Sequence, residues 1–147
     1  AICFFAGLFI LVGALVETGV IKMLAAEAMA ITQGSVESTA ILILWMSAIA
    51  SAFVDNIPFV ATMIPLIKDM GAMGITNLDP LLWSLALGAC LGGNGTLIGA
   101  SANVVVASLA AQHGRQISFL GFMKLAFPCM ILSIIISTAY VYVRYLM

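Results

Sequence analysis

Hydrophobic residues run almost unbroken along this chain, and the information lies in where short polar clusters interrupt them. Residues 1–16 carry no charge and make up most of a membrane span, since a helix crosses the hydrocarbon in about 20 residues. The pattern changes over 17–34. Glu17, Thr18, Lys22, Thr32 and Gln33 fall mostly on one side of a helical wheel, with Val20, Leu24, Ala28 and Ile31 roughly opposite and Glu27 intruding on the apolar side. This predicts an arm helix lying in the interface plane of a membrane. Gly34 can end that helix and Ser35 can cap the next, although Ser38 leaves the capping box incomplete.

Residues 36–54 contain a single charge, Glu37, and then stay uncharged until Asp55-Asn56-Ile57-Pro58. Proline suits the first position of a new helix. The apolar stretch that follows, 59–67, includes Pro65 and stops at Lys68-Asp69, a rise of only ~14 Å against ~30 Å of hydrocarbon. The short second arm predicts a re-entrant hairpin over 36–70 with Asp55 and Asn56 at its buried tip. The competing pattern is a full span that ends at Asp55 in water and is followed by a short interfacial helix. Residues 70–79, rich in glycine and turn formers, read as a surface loop.

From 80 to 112 there is no charged side chain, yet the centre of the run is Gly92-Gly93-Asn94-Gly95-Thr96-Leu97-Ile98-Gly99-Ala100-Ser101-Ala102-Asn103, a poor helix former. The run is too long for one straight span and too short for two with a turn. It predicts a helix broken in mid-membrane over 80–113, with arms at 81–91 and 104–111. Gln112-His113-Gly114-Arg115 has the composition of a helix end, which makes His113 a capping or interfacial residue. Residues 119–147 form a last span, bounded by Lys124 and Arg144, with Tyr140, Tyr142 and Tyr145 suited to the interfacial belt.

Composition changes the picture in one respect: it excludes a soluble globule. The 147 residues are 64% hydrophobic and 7% charged, with a mean hydropathy of +1.24, too little polar surface to cover a core in water. The chain is expected to be an all-α integral membrane protein in a lipid bilayer. It starts at Ala1 and is apolar at once, which reads as a piece of a longer protein rather than a signal peptide. A net charge of −1 offers nothing to nucleic acid. Cys3, Cys90 and Cys129 are widely separated, without the paired spacing of a metal site, and read as buried small hydrophobes.

Candidate chemistry is concentrated at the two interruptions. A carboxylate costs several kcal/mol at the bilayer centre unless it is paired, hydrated or coordinated, which singles out Asp55. Asn56 beside it offers an acceptor and a donor. Asn94, Thr96, Ser101 and Asn103 supply oxygens on the opposite side, as do backbone carbonyls freed by the break. Oxygen-rich sites suit a hard cation such as Na⁺, whereas the amino end of a half-helix near Ala102 favours an anion. No other cofactor and no fixed metal is expected. The competing role for these polar groups is mutual satisfaction at helix breaks, and for Thr96 and Ser101 helix packing is equally well matched. Gly88 and Gly92, and Gly95 and Gly99, have the four-residue spacing of close helix approach; packing explains the first pair at least as well as function does. No dinucleotide fingerprint, nucleophile with a base, metal-ligand cluster or phosphate loop is recognisable, which points away from an enzyme.

The stretches Val54-Asp55-Asn56-Ile57-Pro58-Phe59-Val60-Ala61-Thr62-Met63-Ile64-Pro65 and Gly88 through Val105, together with Gln112-His113-Gly114 and Phe127-Pro128, resemble the P-protein branch of the ion-transporter superfamily. That superfamily also holds arsenite permeases, sodium/proton antiporters and sodium-coupled dicarboxylate and citrate transporters. The resemblance implies the second of two inverted repeats of an elevator-type transporter, each with an arm helix, a re-entrant hairpin and a broken helix. The first repeat, absent here, and a second copy in a homodimer would be its partners. It implies secondary transport of an anion or small organic solute coupled to Na⁺ or H⁺, with cation/proton antiport and an anion conductance as alternatives. The location implied is the membrane of a melanosome or another lysosome-related organelle. Asn56 matches the asparagine of the Ser-Asn-Thr tip of dicarboxylate transporters, with Asp55 and Ile57 replacing its neighbours. Asn103 matches the asparagine of the second motif, with Ser101-Ala102 in place of Thr-Pro. The extra negative charge makes a bare dicarboxylate a less natural substrate and favours a bound cation or a titrating proton.

Overall fold

The computed structural model describes residues 2–147, and among them there are helices and connections but no strand. Helix α1 (Ile2–Glu17) ends at Thr18-Gly19, where Gly19 takes φ 78°, a left-handed conformation that glycine adopts without a steric penalty. The chain then bends by 68° into α2 (Val20–Thr32). Gln33 and Gly34, both at positive φ, close α2, and the Ser35 hydroxyl accepts from the Ser38 N–H as the expected cap of α3 (Val36–Ser51).

Two details of α2 differ from the sequence pattern. Its inward face carries Ile21, Ala25 and Thr32, while Leu24 and Ile31 are exposed. Thr32 was assigned to the polar side, yet it is buried, donating to the Ala28 carbonyl and accepting from the Thr39 hydroxyl at 2.9 Å. A threonine that returns its proton to its own helix can be buried at little cost.

Helix α4 (Asn56–Ala72) is longer than expected. It runs through Lys68-Asp69 for 17 residues, a rise of ~26 Å, so only 73–78 remain as a loop. The length argument for a short second arm therefore loses its basis. Charge alone does not stop a helix: Ile67 and Met70 on either side of the pair are buried and hold the next turn in place, while Lys68 stays exposed. Pro58 stands third in α4 rather than first, still within the turn whose N–H groups have no intrahelical partner.

Helices α5 (Asp79–Gly92) and α6 (Ser101–Gln112) flank the irregular segment 93–100 where a break was expected. Gly114 ends α6 at φ 76°, with Arg115 N–H bonded to the Ala110 carbonyl at 2.9 Å and Gly114 N–H to that of Ala111 at 3.0 Å. His113 Nδ1 lies 2.9 Å from the Leu109 carbonyl, at the helix end as expected. Helix α7 (Phe119–Val141), capped by Ser118, continues through a π-helical turn, Tyr142–Leu146. Phe119–Leu146 is the helical stretch long and apolar enough by itself to cross a membrane; Phe9–Glu17 with Val20–Thr32 would form another only as a bent pair. Helices α3, α5 and α6 are apolar but shorter.

The core is the seam between α3 and α5. Ala40, Leu44, Ala48 and Ala52 recur every four residues along α3, facing Leu81, Leu85, Gly88, Ala89 and Gly92 of α5. A Cβ on Gly88 would lie 2.5 Å from the Leu44 carbonyl oxygen, and one on Gly92 would lie 2.6 Å from Ala48 Cα, so the backbones touch directly. In lipid, apolar burial supplies little drive for helix association, and close backbone packing takes its place. The Gly88/Gly92 spacing is thus a packing device. Helix α7 closes one side of the seam with Met130 and Ile134, and Trp45 Nε1 donates to Thr138 Oγ1 at 3.1 Å. On the other side α2 and α4 pack through Ile21, Ala25, Met63, Ile67 and Met70. Trp83, Tyr140 and Tyr145 cluster beside Arg144, with ring centroids 6.1 and 6.2 Å apart, a grouping suited to an interfacial belt. Helix α6 packs against no other helix.

The three cysteines are exposed, contrary to the expectation of burial. The surface of a membrane protein is itself apolar, so apolar neighbours in sequence do not mark the interior.

Candidate functional site

The two interruptions of the helical pattern meet at the end of the α3–α5 seam. Helix α3 stops at Ser51, and the turn 52–55 leads into α4; helix α5 stops at Gly92, and the segment 93–100 leads into α6. The last carbonyls of a helix lack intrahelical donors. Here each helix end is served by a hydroxyl from the other: Ser51 Oγ lies 2.7 Å from the Ala89 carbonyl of α5, and Thr96 Oγ1 donates to the Ala52 carbonyl beyond α3. Thr96 is buried and also accepts from the Gly99 N–H at 3.2 Å.

Asn103, in the first turn of α6, uses its amide group to tie the break together. Nδ2 donates to the Gly93 carbonyl at 3.1 Å and to the Thr96 carbonyl at 3.0 Å. Asn56, in the first turn of α4, contacts Ser51 Oγ, and its amide lies against Gly93, where a Cβ would stand 3.3 Å from Oδ1 and 3.4 Å from Nδ2. Gly93 is therefore the point that both asparagines share. A Cβ on Gly99 would meet the carbonyl oxygens of Gly93, Ala52 and Ser51 at 2.7, 2.8 and 3.0 Å, so small residues are required where the two turns cross.

Of the residues singled out by sequence, Asn56, Thr96 and Asn103 converge on this point. Asp55, Asn94 and Ser101 are exposed. Asp55 is the N-cap of α4: its Oδ1 accepts from the Ile57 N–H at 3.2 Å. Helix α6 begins at Ala100 without a side-chain cap, leaving its amino end open beside Ser101. An apolar hollow of about 400 Å³ lined by Phe9, Asn56, Ile57, Val60, Ala61 and Ile64 adjoins the Asn56 side. What sequence reasoning missed is Ser51. A serine inside an apolar run signals little by itself, and only the position of Ala89 across the seam gives it a partner.

Chemically the junction is uncharged and rich in carbonyl oxygens, with an exposed carboxylate one residue from Asn56. Such a group can hold a cation or a hydrogen-bond donor by its oxygens and an anion at the open end of α6.

No solved structure matches the chain. The P protein of Sus scrofa is 45% identical over 149 residues, covering 97% of this chain and 18% of that protein. An uncharacterized transporter of Mycobacterium tuberculosis is 49% identical over 144 residues, and a 46 kDa membrane protein of Mycobacterium leprae 44% over 145; each covers 97% of this chain and 34% of the relative. The chain thus spans a third or less of the length of these relatives, to within a percentage point. The family model described as Citrate transporter matches residues 1–88, a stretch that contains Asp55 and Asn56 and ends at the first of the seam glycines. With more than half of its length matched by that model, the chain belongs to the citrate transporter family, a family of membrane transporters.

Proposed function

We propose that this chain is the C-terminal part of a secondary active transporter that moves an anion or small organic solute coupled to Na⁺ or H⁺. The observation that carries the reading is the junction at Gly93, where Asn56 from one interrupted element and Asn103 from the other meet around carbonyls that helices would ordinarily consume. Irregular backbone of this kind inside an apolar protein is tolerated where it is packed or lines a watery path, and in transporters it holds substrate and coupling ions. Family membership and relatives named as transporters support the class. The reading includes α3 and α4 as a re-entrant hairpin, α5 and α6 as one broken helix, and a multi-pass protein of elevator type. Its other half of the site would come from an inverted repeat, and the whole could pair as a homodimer. Helix α6, packed against no other helix of this chain, supports a missing partner. Candidate ion and solute ligands are Asp55, Asn56, Asn94, Thr96, Ser101 and Asn103.

A cation/proton antiporter is the second reading, favoured by the exposed Asp55 carboxylate next to Asn56. A chloride-type conductance of an organelle membrane stands third. Flux into proteoliposomes containing the full-length protein separates the three. Saturable uptake of a solute such as citrate that requires a Na⁺ or H⁺ gradient supports the symporter. Exchange of cations for protons without solute supports the antiporter, and current far above carrier turnover would refute both.

A further inference from the structure

We propose that Ser51 is a positioning residue that sets which end of the Asn56 amide faces the α5–α6 break; this rests on the site reading above. Ser51 is buried at the end of α3, and its Oγ meets two oxygens, the Ala89 carbonyl at 2.7 Å and Asn56 Oδ1. A hydroxyl carries one proton and can donate to one acceptor only. The two oxygens differ in what they can become. The Ala89 carbonyl is fixed backbone, its own helix partner, the Gly93 N–H, is distant at 3.4 Å, and it can never donate. The Asn56 amide can turn end for end, exchanging oxygen for nitrogen in nearly the same volume. The proton therefore goes to Ala89, and Asn56 presents Nδ2–H to the lone pair of Ser51.

This assignment decides the chemistry of the junction. With its nitrogen held by Ser51, Asn56 keeps its carbonyl oxygen on the end away from Ser51. Asn103, whose Nδ2 is committed to the Gly93 and Thr96 carbonyls, likewise keeps its Oδ1 free. Both asparagines then offer acceptors, and a ligand group meeting them must be a cation or a hydrogen-bond donor. Without the Ser51 hydroxyl the Asn56 amide has no preferred end, and half of that selectivity is lost while the fold around Ala48 and Gly92 is untouched.

The test uses the full-length protein with ¹⁵N-labelled asparagine, in wild-type form and as Ser51→Ala and Ser51→Thr. The Asn56 NH₂ is expected to exchange with solvent about tenfold more slowly than that of exposed Asn94, the factor that one hydrogen bond confers. Ser51→Ala should bring the two rates together, and Ser51→Thr, which keeps the hydroxyl, should restore the difference. In the same proteins, melting is followed against NaCl, with choline chloride as the control, and against pH. Ser51→Ala should raise the half-saturating Na⁺ concentration about tenfold, or change the pH response, without lowering the maximal effect. If Ser51→Ala does not fold, Ser51→Cys, a weak donor of similar size, should fall between the wild type and a full loss. Equal exchange of Asn56 and Asn94 in the wild type, or an unchanged rate in Ser51→Ala, overturns the proposal. A wild type that responds to neither Na⁺ nor pH overturns the transport reading instead, and the exchange rates then decide the amide assignment by themselves.

Discussion

Gly92→Ala is the sharpest test of the packing. The added Cβ would lie 2.6 Å from Ala48 Cα and 2.8 Å from Ala48 C, and would also press on the Ala48 carbonyl oxygen. Ordinary contact begins at 3.4 Å, so α3 and α5 would have to separate by about 0.8 Å. All three neighbours are backbone atoms, which cannot swing aside as a side chain would. Overpacking of this type costs about 1–3 kcal/mol, against about 1 kcal/mol gained from the better helix propensity of alanine. The expected net loss is about 1–2 kcal/mol, accompanied by displacement of Ser51 from the Ala89 carbonyl. Gly7→Ala and Gly13→Ala in α1 are the controls, because a Cβ there meets nothing within 4 Å and only the propensity gain remains. Melting of the detergent-solubilised protein should rank the controls at or above wild type and Gly92→Ala clearly below. Equal melting temperatures for Gly92→Ala and Gly13→Ala would refute the close backbone seam and, with it, the geometry that joins the two turns.

Thr96→Val keeps the shape but leaves the Ala52 carbonyl without its donor, a cost of about 1–3 kcal/mol that should appear as a lower melting temperature. Asn103→Ala removes the donor to the Gly93 and Thr96 carbonyls, so uptake into proteoliposomes should fall further than stability does; equal losses of both would reduce Asn103 to a structural tie. Asp55→Asn retains a good N-cap for α4 and removes the charge, so melting should be nearly unchanged while the Na⁺ or pH dependence of transport alters. Asp55→Ala should also lose about 1 kcal/mol of stability through the missing cap. If Asp55→Asn leaves rate, pH profile and Na⁺ dependence intact, the carboxylate is a cap and nothing more.

Much of this architecture is written in local sequence. Ser35 and Ser118 cap helices, Gly114 ends α6, and the glycine-rich run breaks the α5–α6 segment, because capping and helix propensity act over a few residues. The uncharged composition alone determined that the chain belongs in a membrane, since no arrangement of these residues could cover a core with polar surface. Other features were decided only by tertiary contacts. The end of α4 could not be read from Lys68-Asp69, because burial of Ile67 and Met70 carries the helix past the charges. The inward face of α2 could not be read from its polar stripe, because Thr32 finds a hydroxyl partner seven residues away across a turn. The same reason separates Asn56, Thr96 and Asn103 from Asp55, Asn94 and Ser101, which look equivalent in one dimension. A polar side chain in apolar sequence acquires its role from the partner it meets: the Ala89 carbonyl, 38 residues from Ser51, and the Ala52 carbonyl, 44 from Thr96, become partners only when α3 and α5 close on each other through Gly88 and Gly92.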